Sequence, residues 1–87
     1  MKTLKIVIKK EWFDLIKSGK KKIEYREAKP FWHSRLKDSN GKYIKYDRIE
    51  FINGYIKNAR RMIAEFDGVS LKNNLYHIKV GKILKDK

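Results

Sequence analysis

Three charged residues, Lys21, Glu24 and Arg26, have types and a spacing that suit binding chemistry. Glu24 and Arg26 lie two positions apart, so on a strand their side chains project from the same face. The Lys21 ammonium has three rotatable donors for a phosphate or a carbonyl oxygen, and the planar Arg26 guanidinium suits a phosphate or a base edge. The Glu24 carboxylate can hold that guanidinium or accept from a base amino group. The same spacing also fits an exposed ion-pair ladder of little energetic consequence.

Two aromatic residues, Trp32 and Tyr55, fall in predicted connections beside the basic residues Arg35, Lys57 and Arg60. Rings next to cations can stack on unpaired bases. The alternative is that each ring fills one end of a small barrel. The candidate ligand-binding residues are Lys9, Lys21, Glu24, Arg26, Trp32, Asn53, Tyr55 and Arg60. Lys21 and Glu24 are the candidate catalytic residues if the protein is an enzyme.

Hydrophobic alternation and turn signals predict the elements that must position these residues. The predicted strands are Thr3–Ile8, Lys21–Arg26, Arg48–Ile52, Arg61–Phe66 and Leu75–Leu84. A helix is predicted over Lys10–Ser18, with Gly19 as its C-terminal cap, and a short helical turn is expected after Pro30. This order predicts an α+β fold in which a small mixed or antiparallel sheet curls into a pseudo-barrel with one or two short helices.

The strand parities also predict which aromatic residues form the core. In the second strand, Ile23 and Tyr25 share one face, and we expect that face to point inward. Asp67-Gly68 is expected to close the fourth strand, and Gly81 to mark a bulge in the last one. The residues expected in the core are Trp12, Phe13, Tyr25, Phe51, Phe66 and Tyr76. Of the histidines, His33 is expected in a loop and His77 on an outer strand face.

Length and composition set the remaining limits. The 87 residues suit one domain over 1–87, and a monomer is favoured. Without cysteine, the chain has no disulfide, thiolate nucleophile or cysteine zinc site, and its two separated histidines suggest no metal. We therefore expect no cofactor. Neither a signal peptide nor a membrane-spanning segment is visible, which favours a cytoplasmic location and no membrane partner.

Net charge indicates the class of partner. A formal charge of +13 in so short a chain favours a polyanion, with RNA or DNA ahead of a membrane surface. The alternative is that the lysines reflect composition alone and form a solvated surface. Lys20 and Lys22 are expected to be surface charge of that kind.

The segment from Gly19 to Arg26 fits the pattern G-x-K-x-x-E-x-R directly after the predicted helix. This pattern resembles the signature of the ASCH family, a branch of the PUA-like superfamily. Further segments resemble small stand-alone ASCH proteins of bacteria and phages: Trp12-Phe13, Pro30-Phe31-Trp32, Asn53-Gly54-Tyr55 and Ile78–Ile83. The resemblance implies a PUA-like pseudo-barrel that binds RNA or a modified nucleotide in a basic cleft around the motif.

The resemblance also leaves two alternatives open. Some related ASCH proteins remove the acetyl group from N4-acetylcytidine. In those proteins a Thr beside the motif lysine is the proposed nucleophile, and this chain has Glu24 at the position of that Thr. Lys21 matches that lysine, whereas Glu24 departs from the pattern, and Glu65 is a weak match for a further catalytic Glu. Other ASCH proteins resemble ribonucleases, for which Lys21 and Glu24 are candidate catalytic groups. The second alternative is a phage-type accessory protein that binds a host protein.

Overall fold

Five strands and two helices form the framework of the computed structural model, which describes residues 1–86. The strands are β1 (Thr3–Ile8), β2 (Ile23–Glu27), β3 (Arg48–Asn53), β4 (Arg61–Lys72) and β5 (Leu75–Asp86), and the helices are α1 (Lys10–Lys17) and α2 (Pro30–Leu36). The sheet order is β1-β3-β4-β5-β2. β1 and β3 are parallel, and the other neighbours are antiparallel. The sheet curls into a half-barrel, so the predicted α+β pseudo-barrel is confirmed.

The core lies on the inner face of the curled sheet, covered by one side of each helix. In β1, Leu4, Ile6 and Ile8 are buried, as the alternation predicts. Phe13 and Ile16 give α1 its buried stripe. Further core residues are Leu36, Ile49, Phe51, Met62, Ala64, Tyr76, Ile78 and Val80. Each fully buried large side chain contributes roughly 1.5–3 kcal/mol.

Helix α1 ends at a glycine that turns the chain back toward the sheet. Gly19 has φ +83°, a conformation that glycine adopts without the cost of a Cβ. The amide groups of Lys20 and Lys21 both donate to the carbonyl oxygen of Leu15. This cap fixes the position of Lys21 just before β2 starts.

Irregular pairing between β4 and β5 lets these long strands bend. β4 was predicted to end at Phe66, which is wrong: the strand continues through Asp67 and Gly68 because they form a bulge and not a turn. On β5 the expected bulge at Gly81 is confirmed by the register shift opposite Glu65. Bulges increase the local twist and bend of a strand, which suits a sheet that curls.

In β2, the face that points inward is the one with Glu24 and Arg26, and not the predicted face with Ile23 and Tyr25. Glu24 is 5% exposed, whereas Tyr25 is 47% exposed, so the placement of Tyr25 in the core is wrong. Tyr25 instead packs edge-to-face against His77 on the outer face, with ring centroids 4.8 Å apart. A charged face points inward here because two cations accompany Glu24, as described below.

Two other expectations are also wrong. Trp12 is 44% exposed, because in the pair Trp12-Phe13 only Phe13 faces the core. His33 lies in α2 and not in a loop, and its Nδ1 hydrogen-bonds the hydroxyl of the core residue Tyr76. Within residues 1–86, no helix has both the length and the apolar character needed to cross a membrane.

Candidate functional site

The candidate site occupies the gap between β1 and β2, the two outermost strands of the curled sheet. The side chain of Arg26, on β2, bridges this gap. Its Nη2 atom donates to the carbonyl oxygen of Val7, on β1, at 3.1 Å. One side chain therefore links the two strands that the curled sheet leaves unpaired with each other.

A cavity of about 1030 Å³ opens along this gap. Its walls come from the end of β1, the start of α1, β2, the segment that leads into α2, and the turn after β3. The lining residues are Val7, Ile8, Lys9, Trp12, Lys21, Glu24, Tyr25, Arg26, Glu27, Lys29, Trp32, Gly54 and Tyr55.

An ion triad forms the innermost charged part of the wall. The Glu24 side chain is 7% exposed, and its Oε2 accepts from Arg26 Nη2 at 2.6 Å. Its Oε1 lies 3.4 Å from Lys21 Nζ. Burying a carboxylate is costly unless cations and donors compensate it, and here two cations do so. The triad keeps a formal charge of +1, so it attracts anions while the guanidinium is held in a fixed orientation.

Arg26 retains unused hydrogen-bonding capacity. Its Nε atom is buried and has no hydrogen-bond partner within residues 1–86. The guanidinium carbon lies 5.2 Å from the ring centre of Trp32, which is within cation–π range. Together with the hydrogen bonds to Val7 and Glu24, this contact restrains the guanidinium, and hence the directions of its donors.

Aromatic rings also surround Lys21. Its Nζ atom lies 5.3 Å from the ring centre of Trp12 and 5.0 Å from that of Tyr25. At the rim, Tyr55 is 92% exposed in the connection after β3. The site therefore combines fixed cations with apolar ring surface, which suits ligands that have both an anionic and a flat aromatic part.

A sequence model of the ASCH domain matches residues 6–83, nearly the whole chain. The chain belongs to the ASCH domain family. ASCH domains are PUA-like, and membership suggests RNA binding or a related activity in general terms. The matched region includes the ion triad and every residue that lines the cavity. Comparison with curated proteins and with solved structures gives no match.

Most of the candidate binding residues of this ASCH domain share the cavity. On its walls are Lys9, Lys21, Glu24, Arg26, Trp32 and Tyr55. Asn53 ends β3 outside the lining. Arg60 is also outside it: its Nη1 lies 3.4 Å from Asp14 Oδ1, and its guanidinium stacks 4.8 Å from the ring of Phe13. Glu65 is exposed, accepts from the backbone of Lys82 at 3.1 Å, and is likewise outside the lining.

Two cations near Asp14, Lys10 and Arg60, lower the pKa of its carboxyl group. The hydrogen bond from Lys10 is the main cause that holds the pKa of Asp14 below its usual value of 3.8, and the charge of Arg60 adds to this effect. Lys10 Nζ lies 3.1 Å from Asp14 Oδ2. Asp14 is not on the walls of the site, so this pair belongs to the surface of α1.

Several lining residues were missed by the sequence analysis. Trp12 and Tyr25 were assigned to the core, and Lys29 was not considered. The adjacent Trp12 and Phe13 indicated that one of the two could be exposed, because neighbouring helix positions point about 100° apart. Nothing in the sequence indicated that the carbonyl oxygen of Val7 accepts from Arg26, since this contact depends on how far the sheet curls.

Proposed function

We propose that the cavity between β1 and β2 binds RNA by taking up a nucleotide, modified or unmodified. The observation that carries the proposal is that one cavity joins the oriented cations Lys21 and Arg26 to the rings of Trp12, Trp32 and Tyr55. A nucleotide has the matching parts: an anionic phosphate and a flat base. The overall charge of +13 adds long-range attraction for a polyanion.

Phosphate is the part of the ligand that Arg26 and Lys21 suit. Arginine offers a planar set of donors, and the contacts to Glu24, Val7 and Trp32 hold that plane before any ligand arrives. A preorganised donor loses less conformational entropy on binding than a free surface arginine does. Lys9, exposed at the rim, adds positive charge where a strand of RNA would leave the cavity, whereas Lys29 at the rim pairs with Glu27 at 2.9 Å.

The base is the part that the aromatic rings suit. Base–aromatic stacking contributes about 1–3 kcal/mol per base and tolerates different bases. Tyr55 is the most exposed of these rings, and so it has most area free for stacking. The cavity volume of about 1030 Å³ is at the upper end of the usual range for ligand sites, which leaves room for a nucleotide with its linkage.

Binding is favoured over hydrolysis by how Glu24 is used. A nucleophile or general base needs a free lone pair directed at the substrate. Both Glu24 oxygens face cations, with Arg26 at 2.6 Å and Lys21 at 3.4 Å. This arrangement suits a carboxylate that positions cations for a ligand.

The test compares two exposed tyrosines, one that lines the cavity and one that does not. Fluorescence anisotropy with a short labelled single-stranded RNA gives the Kd of the wild type, Tyr55→Ala and Tyr43→Ala. Tyr43 is also exposed, yet it lies outside the lining, so its variant controls for the loss of an aromatic surface. We expect Tyr55→Ala to weaken binding at least about fivefold and Tyr43→Ala to leave it within about twofold.

A second pair tests the cations. Arg26→Gln is compared with Arg35→Gln, because Arg35 lies outside the cavity and stacks on Phe31 at 4.5 Å. We expect a clear loss of RNA affinity only in Arg26→Gln, with thermal melts confirming that both variants are folded. No RNA binding by the wild type, or equal losses in both arginine variants, would contradict the proposal.

A further inference from the structure

Lys21 is also part of the wall of a second, smaller cavity of about 360 Å³. This cavity lies among the end of α1, the residues just before β2, the bulge of β4 and the bulged part of β5. The Lys21 ammonium is on the side of the main cavity, beside Glu24 and the ring of Trp12. Lys21 is therefore the residue at which the two cavities adjoin.

The smaller cavity shares positive charge and apolar surface with the main site, and its lining within residues 1–86 has no aromatic ring. Ile16, Val80 and Ile83 give it apolar surface, and Lys22 and Lys82 give it positive charge. Neither lysine forms an ion pair within residues 1–86, so both charges are available to a ligand.

Asp67 adds an acceptor to this cavity. Its carboxylate packs against the backbone of β5, where a Cβ added at Gly81 would come within 2.9 Å of Asp67 Oδ1 and of Glu65 Cβ. A glycine at this position therefore lets the carboxylate lie against the strand. An acceptor beside apolar surface suits the amino group of a base or a ribose hydroxyl.

We infer that the smaller cavity is a second nucleotide subsite, which holds the neighbour of the nucleotide in the main cavity. The inference rests on the proposed function. The phosphodiester between the two nucleotides lies at Lys21, and Lys22 and Lys82 face the phosphate on the far side of the second nucleotide. The volume of about 360 Å³ suits one further nucleoside and not a longer segment.

The test compares ligands of one and two nucleotides. The probes are the four ribonucleoside 5′-monophosphates and the four 5′-phosphorylated homodinucleotides, titrated by calorimetry at fixed salt. For the wild type we expect at least one dinucleotide to bind about fivefold or more tightly than its mononucleotide, because the second nucleotide adds hydrogen bonds and charge contacts of its own.

Two double variants, each of which loses two positive charges, then test where the added affinity for a dinucleotide arises. Lys22→Ala/Lys82→Ala removes the cations of the smaller cavity, whereas Lys42→Ala/Lys45→Ala removes two exposed lysines outside both cavities. We expect only the first variant to lose the dinucleotide advantage, with mononucleotide binding changed less than about twofold in both. In the wild type, the backbone amide resonances of Gly19 and Gly81 should shift with the dinucleotide and not with the mononucleotide.

The outcomes separate the two claims. If mononucleotides and dinucleotides bind equally, or if both double variants lose the same dinucleotide affinity, the second subsite is wrong and the proposed main site stands. If neither ligand nor a longer RNA binds, the proposed function fails, and the subsite fails with it.

Discussion

The contact between Glu24 and Arg26 permits a quantitative test, because it joins a buried carboxylate to a bridging guanidinium. Glu24→Gln, Arg26→Gln and the double variant form a double-mutant cycle. In Glu24→Gln the Arg26 charge loses its carboxylate and keeps two neutral partners, the glutamine amide oxygen and the carbonyl oxygen of Val7. In Arg26→Gln the buried carboxylate keeps Lys21 at 3.4 Å, and the donor to Val7 is lost. In the double variant both of these charges are gone, so neither leaves the other unpaired, and Lys21 loses the same carboxylate as in Glu24→Gln.

The expected magnitude follows from burial and distance. Removing one partner of a buried ion pair costs about 3–5 kcal/mol. The Arg26 side chain is 24% exposed and Lys21 still accompanies Glu24, so we expect about 2–3 kcal/mol for each single variant. A charge-assisted hydrogen bond of 2.6 Å should then give a coupling energy of about 1.5–3 kcal/mol. For a chain of this size, each single variant should lower Tm by roughly 10 °C or more.

Urea and thermal unfolding of the four proteins measures this coupling. A matched cycle on Lys29 and Glu27, which lie 2.9 Å apart with both side chains about two-thirds exposed, serves as the control. There we expect a coupling below about 1 kcal/mol, because solvent screens exposed pairs. If the Glu24 and Arg26 variants are additive within about 0.5 kcal/mol, the two groups are not coupled, and the account of a preorganised guanidinium is refuted.

Three further predictions concern charge and chemistry. RNA binding should weaken steeply with salt, with a slope of log K against log salt of about −1.5 to −3 for two to four phosphate contacts; affinity that is the same at low and high salt contradicts this. The protein should not release cytidine efficiently from N4-acetylcytidine, since Glu24 faces two cations; rapid turnover that disappears in Glu24→Ala would promote the hydrolase alternative. Lys10→Ala should move the pKa of Asp14 up toward 3.8 in a carboxyl NMR titration, because the main cause of its lowering is removed. A depressed folded-state pKa stabilises the protein above pH 3.8, and that contribution is lost as pH falls through the folded pKa. An unchanged pKa in the variant would show that the Lys10 contact is not the cause.

The features that local sequence could predict are those that depend on one face and one element. The alternation in β1 identified Leu4, Ile6 and Ile8 as buried, because β1 has one face on the core and one toward solvent. Gly19 marked the end of α1 to within a residue or two, since few other residues take its conformation at low cost. These predictions required no knowledge of the rest of the chain.

The orientation of β2 could not be predicted in the same way. Alternation separates Tyr25 from Glu24 and Arg26, but it does not say which face is inward. The rule that apolar residues point inward failed here, because polar partners for Glu24 and Arg26 lie inside the curled sheet. Lys21 pairs with Glu24, and the carbonyl oxygen of Val7 on β1 accepts from Arg26. Likewise, the motif placed Lys21, Glu24 and Arg26 together, whereas the contribution of Trp12 depends on where α1 sits against β2.

The location of the cavity has a physical reason in the topology. A half-barrel leaves the backbone groups of its two outermost strands without strand partners, and such groups need donors or acceptors from elsewhere. Arg26 supplies a donor to Val7, which requires a charged side chain inside the curled sheet, and Glu24 in turn makes that charge tolerable there. The link between β1 and β2 therefore brings an oriented guanidinium and a carboxylate to the same gap. Because Arg26 also lines the cavity, the group that holds the two strands together lies where a ligand can contact it.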